Sequence, residues 1–259
     1  MKGKSVIVTG AGSGLGREIS RIIAQQGGLV TAADINEAGG NETVDMITKA
    51  GGKATFVKTN IAVEAECEQL TKVALDMFGR LDGAVNNAAA GQNAARLHET
   101  DLKHWNHIMD VNLTGTFLCM KYQIPPMLEA GRGSIVNIAS YAGLFGFESA
   151  TEYCASKAGV MGLTRAAAVE YGHHNIRVNA VCPGLMFTGM QAEVLREKAD
   201  VLNEIVGMTA LGRPSRTEEV AESAVWLLSD SSSYITGVSL PADGGMAGSG
   251  VSRVTRDWA

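Results

Sequence analysis

Short apolar, β-branched runs alternate with longer amphipathic stretches along most of the chain. The runs Ser5–Thr9, Leu29–Asp34, 54–58, 81–86, 134–139, 177–181 and 236–240 read as continuous apolar segments, without period-two alternation. That pattern belongs to strands covered on both faces. Helix-period segments lie between them, near residues 15–26, 37–50, 63–79, 101–129, 153–171 and 217–229. Regular strand–helix alternation implies right-handed crossovers and an α/β fold, a single-domain doubly wound parallel sheet of seven strands flanked by helices. The stretch 184–214 interrupts the rhythm. It holds no strand but contains an amphipathic segment, Met190–Met208; the stretch 184–214 reads as a lid over the carboxyl ends of the strands, with a surface helical excursion as the alternative. Residues 246–259 form a tail.

Composition narrows the class without changing the fold. The 259 residues are 46% hydrophobic and 19% charged, ordinary for a globular chain. A net charge of −5 argues against nucleic acid as a partner, because phosphate neutralisation needs clustered cations. Gly133–Phe147 is uncharged but too short and too rich in Gly, Ser and Asn to span a bilayer, and Val6–Val8 runs straight into glycines. A cytoplasmic protein without membrane association is expected. Cys67, Cys119, Cys154 and Cys182 are scattered, and His104 and His107 lack an H-E-x-x-H context, so no metal is expected.

Three groups of residues suggest chemistry. The first strand ends in Thr9-Gly10-Ala11-Gly12-Ser13-Gly14-Leu15-Gly16, where glycines can bring backbone N–H groups against a phosphate at a helix N-terminus. Its spacing is T-G-x-x-x-G-x-G, which differs from the common dinucleotide fingerprint, but it occupies the strand–helix junction that such a loop needs. Asp34 ends the second strand, placed to accept ribose hydroxyls and to repel a 2′-phosphate, so NAD is expected over NADP. Arg17, the nearby cation, is expected to face solvent. Tyr153 and Lys157 are an i, i+4 pair on one helix face, where an ammonium can lower the phenol's pKa from its usual value of about 10. Ser140, Asn86-Asn87, Asn112 and Pro183-Gly184 fall near the ends of successive strands or, for Asn112, within a long helix.

Taken in order, these motifs resemble those of the classical short-chain dehydrogenases/reductases, and the resemblance runs from the glycine loop to Asp243-Gly244-Gly245. It implies hydride exchange between a nicotinamide cofactor and an alcohol or carbonyl. Tyr153 would be the general acid/base, Ser140 would hydrogen-bond the substrate oxygen, and Lys157 would lower the tyrosine pKa and hold the nicotinamide ribose. Asn112 would fix a proton-relay water. Gly10, Ser13 and Leu15 would line the pyrophosphate, Asn60 would meet the adenine, Asn87 a ribose, and Met186 and Thr188 the carboxamide, with Gly14, Gly16 and Ile61 also binding the cofactor. Asn60 and Ala89 depart from the family pattern, replacing the usual aspartate and the last glycine of N-N-A-G. A homotetramer, or a dimer, built on the helices near 101–129 and 153–171 is also implied.

The residues expected around the substrate are apolar: Leu144, Phe145 and Phe147 after Ser140, with Met186, Phe187 and Met190 opening the lid. Such a pocket favours hydrocarbon and leaves polyols with unpaired hydroxyls. The expected substrate is therefore a hydrophobic secondary alcohol, alicyclic or terpenoid, oxidised to its ketone. Phe117–Tyr122 also resembles family members acting on ring alcohols. The alternatives are a ketoacyl-carrier-protein reductase, which Asp34 opposes, and a non-catalytic dinucleotide-binding protein.

Overall fold

A computed structural model describes residues 1–92, 94–186 and 206–247. Seven strands form one parallel sheet: β1 (Ser5–Thr9), β2 (Leu29–Asp34), β3 (Lys53–Lys58), β4 (Gly83–Asn86), β5 (Gly133–Ile138), β6 (Ile176–Pro183) and β7 (Ser239–Ala242). Their spatial order is β3-β2-β1-β4-β5-β6-β7, so the direction of winding reverses between β1 and β4. Helices α1 (Gly14–Gln25), α2 (Glu37–Lys49) and α7 (Thr217–Leu228) cover one face. On the other lie α3 (Glu64–Phe78), α5 (Gly115–Glu129) and α6 (Thr151–Tyr171).

Side chains of each central strand point alternately to the two layers. Val6 and Val8 pack with Ile19 and Ile23 of α1 and Val225 of α7, whereas Ile7 joins Leu70 of α3 and Met120 of α5. Both faces are thus buried, which is why these strands lack polar alternation. The outer strands are less covered: β3 and β7 are half-buried along most of their length. The last strand starts three residues later and ends two later than the apolar run predicts, because Thr236 and Gly237 form the approach to it, Thr236 Oγ1 accepting the Val178 N–H.

The expected helix near 101–129 is divided. Leu102–Met109 forms α4, the π-helical turn Asp110–Thr114 follows, and α5 begins at Gly115. Asn112 therefore occupies a widened turn, a local irregularity that recurs where helices serve a site. Buried amides hold this layer to the sheet. Asn86 Nδ2 donates to Asn137 Oδ1 (2.9 Å), Gln123 Nε2 to Asn86 Oδ1 (2.9 Å), and Asn137 Nδ2 to Thr164 Oγ1 (3.0 Å). Being paired, they bury without the penalty of orphaned polar atoms, and they fix β4 and β5 relative to α5 and α6.

Candidate active site

The reversal between β1 and β4 opens a crevice at the carboxyl ends of the strands, where doubly wound sheets bind ligands. Asn87 closes its floor by donating from Nδ2 to the carbonyls of Thr9 (3.0 Å) and Gly10 (3.2 Å). Thr9 Oγ1 in turn accepts the N–H groups of Asn87 and Ala88. A cleft of about 970 Å³ is lined here by Gly10, Ser13, Gly14, Leu15, Asp34, Asn60, Ile61, Asn87 and Met186, all expected cofactor residues. Thr59, His107, Asp110 and Val111 line it as well. Sequence reasoning missed them; His107 and Asp110 stand three apart on α4 and its continuation, a helical spacing that was the available signal.

The glycine loop suits a dinucleotide phosphate. Gly10 has a φ of +65°, and a Cβ there would lie 2.7 Å from Asn87 Nδ2. A Cβ on Gly16 would come within 2.1 Å of the Gly10 carbonyl oxygen, so Gly16 serves the turn itself. The loop's peptide groups then stand open at the start of α1, whose N-terminal N–H groups and dipole favour an anion. Asp34 stands at the far rim, its carboxylate accepting the N–H groups of Gly12 (Oδ2, 2.8 Å) and Asn36 (Oδ1, 2.8 Å). Asn60 Oδ1 accepts the Ala62 N–H at 3.1 Å. Ala89 is exposed and is not among the residues of positive φ, so alanine stands there without backbone strain.

Arg17 departs from expectation. Instead of facing solvent, it donates to the carbonyls of Gly12 and Gly39, to Thr43 Oγ1 and to Glu42. Three of those four acceptors are neutral oxygens of the glycine loop and α2, which draw a planar five-donor guanidinium inward.

Beyond the cleft, Ser140 follows β5 by two residues and is buried, its Oγ accepting the Ala142 N–H. Tyr153 lies in the first turn of α6, near enough to the Ser140 side chain for that hydroxyl to act on its pKa. One turn on, Lys157 is buried, with Nζ 5.6 Å from the Tyr153 ring centre and donating to the Ile138 carbonyl at 2.9 Å. Asn112 is also buried. Its Nδ2 donates to Ala90 O (3.0 Å) and Ser156 Oγ (3.2 Å), while its Oδ1 accepts the Ala90 N–H (2.7 Å). The expected quartet thus converges around α6.

Electrostatics differ from the simple expectation. Burial pushes the Tyr153 phenol above its ordinary pKa of 10.0, and the Ser140 hydrogen bond opposes that rise. Burial also lowers Lys157 from 10.5 to about 8. Without cofactor, desolvation outweighs any help from the ammonium: both groups resist their charged forms.

Among the expected pocket residues, Leu144 packs beside Val160, Met161 and Cys182, and Phe145 is about half exposed. Phe147 meets the Tyr141 ring edge-on at 5.8 Å. Tyr141 was not anticipated; it directly follows Ser140, and its phenol is coupled electrostatically to Tyr153. Thr188, Phe187 and Met190, most of the expected lid and the tail beyond residue 247 lie outside the described residues.

A family profile described as enoyl-(acyl carrier protein) reductase, one of the short-chain dehydrogenase profiles, matches residues 10–247. The chain belongs to the short-chain dehydrogenase/reductase family. Like the family's other enzymes, this short-chain dehydrogenase/reductase is an oxidoreductase that uses a nicotinamide dinucleotide. It is 46% identical over 246 residues to a 2,5-dichloro-2,5-cyclohexadiene-1,4-diol dehydrogenase of Sphingobium indicum, covering 95% of this chain and 97% of that protein. It is 41% identical to a cyclohexanol dehydrogenase of Acinetobacter sp., covering 93% and 94% respectively. Among solved structures, levodione reductase superposes with a TM-score of 0.91 at 29% identity, covering 96% of this chain and 99% of the other. Among the described residues, no helix is long and apolar enough to cross a membrane.

Proposed function

We propose that this enzyme oxidises a hydrophobic alicyclic secondary alcohol to its ketone with NAD, using Tyr153 as the proton-transfer group. The observation that carries the reading is the convergence of Ser140, Tyr153 and Lys157 beside a glycine-lined cleft. Bound NAD supplies the hydride acceptor. The chain's own residues do the rest. Ser140 hydrogen-bonds the substrate oxygen, and Tyr153 takes the hydroxyl proton as a base. Lys157, the cation beside the ring, would favour the phenolate once the site is filled and would hold the nicotinamide ribose. The Asn112 amide bonds Ala90 and Ser156 and so holds the loop after β4 against α6, where the residue would also fix the water that links Lys157 to solvent.

Substrate class follows from relatives named for ring alcohols together with the aromatic and aliphatic groups after Ser140. An alcohol panel tests it. Cyclohexanol-like and borneol-like alcohols are expected to exceed sugars and hydroxy acids in kcat/KM; preference for the polar set, or turnover only of a carrier-bound ketoacyl group, would replace this reading. The protein is expected to assemble as a homotetramer, or a dimer, through α5 and α6, measurable by sedimentation.

Cofactor choice rests on Asp34. Its carboxylate would face a 2′-phosphate, and Arg17, committed to the loop and Glu42, is not placed to offset it. NAD should be favoured by about 100-fold in kcat/KM, corresponding to ~3 kcal/mol of like-charge repulsion. Asp34→Ser should narrow that ratio by at least about tenfold. Equal efficiency with NADP in the unaltered enzyme would sink the assignment.

A further inference from the structure

Glu152 precedes Tyr153 in the first turn of α6 and is completely buried. A carboxylate so far from water is tolerated only with partners, and His104 on α4 is one of them, its Nε2 3.3 Å from Oε1, an ion-pair contact when the imidazole is protonated but without hydrogen-bond geometry. One turn along, Asn112 Nδ2 donates to Ser156 Oγ, which donates to the Tyr153 carbonyl at 2.8 Å. One ion-pair contact and one hydrogen-bonded tie therefore bracket Tyr153, and both run to the α4–π-turn segment. That segment carries His107, Asp110 and Val111 on the wall of the cofactor cleft. We infer that the His104–Glu152 pair is a positioning clamp, which locks the first turn of α6 to the cleft wall and sets where the Tyr153 phenol stands relative to the cofactor.

Chemistry favours this over simple anchoring. Apolar side chains of similar volume would join two helices at less desolvation cost. A buried charge contact adds a fixed separation between α4 and α6, on which the placement of the Tyr153 side chain depends. Ser140, Tyr141, Cys154 and Lys157 also face the phenol, but none of them ties α6 to α4. His104 and Glu152 do not touch the reacting atoms; they act through Tyr153.

The inference rests on Tyr153 being the proton-transfer group, so Tyr153→Phe is measured alongside. The full chain is compared with Glu152→Gln, His104→Gln, the double variant and His104→Phe. The last breaks the pair from the histidine, whose side chain is 23% exposed, and carries the test if Glu152→Gln does not fold. Turnover of cyclohexanol is expressed per NAD-binding site, and Tyr153 ionisation is followed without cofactor by carbon-13 NMR of labelled tyrosine. Glu152→Gln and His104→Phe should lower kcat about ten- to hundredfold with KM and NAD affinity near wild type, because small misplacements are costly to transfer chemistry. Tyr153 should titrate at lower pH in both, since a loosened α6 lets water reach the phenol. The double Gln variant, joined by an amide–amide hydrogen bond, should recover most of kcat. Wild-type kcat and titration in both broken pairs overturn the clamp, as does a double variant whose loss is the product of its singles. An active Tyr153→Phe overturns the mechanism instead, and the NMR titration still decides the clamp.

Discussion

Tyr153→Phe should lose about 10²–10⁴-fold in kcat, the usual span for removing general acid–base help, while the affinity for NAD stays near wild type. Only one oxygen disappears. The ring remains between Ser140 and Lys157, and the cleft formed by Gly10, Ser13, Leu15 and Asp34 is untouched. Steady-state kinetics with cyclohexanol, paired with NADH fluorescence titration, separate the two quantities. A Phe variant turning over at the wild-type rate would end the proposed chemistry. The raised pKa of this phenol adds a pH signature. A phenolate base is scarcer at low pH, so oxidation should accelerate as pH rises and level off once Tyr153 is ionised in the ternary complex.

Lys157→Met should damage turnover comparably, by about 10²-fold or more, and weaken NAD binding too. It should also make the cofactor-free protein more stable. Lys157 binds its proton with a pKa of about 8 when folded, against 10.5 for the free side chain. Between those values the unfolded chain holds more protons, so this group makes stability rise with pH through that window. Below pH 8 its full cost applies, about 3 kcal/mol for a shift of this size. Methionine removes the cost but also the hydrogen bond to Ile138, worth ~1 kcal/mol. The net gain of about 2 kcal/mol near pH 7 corresponds to roughly 5 °C in Tm. Thermal melts without ligand at pH 7 and pH 10 check this: the variant's advantage should shrink at the higher pH. A less stable Lys157→Met at pH 7 would contradict the account.

The parts of the fold written in apolar periodicity were readable from the sequence. Strands β1 and β2 need unbroken apolar runs, and their predicted and observed limits coincide. The strand near 236–240 was misplaced because an edge strand half open to solvent carries little of that signal. The π-turn was invisible, since one extra residue hardly disturbs a helical pattern over its length. Local motifs were legible as positions: the glycine loop, Asp34 and Ser140 follow or end strands, and Tyr153 opens α6 with Lys157 one turn further on. What could not be read was commitment among partners. Whether Arg17 looks outward depends on carbonyls of Gly12 and Gly39 that only the tertiary structure brings near. Likewise Glu152 reads as an ordinary acidic first-turn residue, and only burial against His104 separates it from one.

The widened turn at Asp110–Thr114 also bears on how this chain tolerates changes in length. Removing one residue within it would allow a continuous α-helix with regular backbone bonding, locally a gain. Yet each residue turns a helix by about 100°, so everything on one side of the cut would swing by that angle relative to the other. If α5 kept Met120, Ile124 and Met127 in the core, His107 and Asp110 would leave the cleft; if α4 kept its place, those core residues would face the wrong layer. Insertions and deletions should therefore collect in the largely exposed stretch at residues 94–100, while this internal segment keeps its residue count even where its amino acids change.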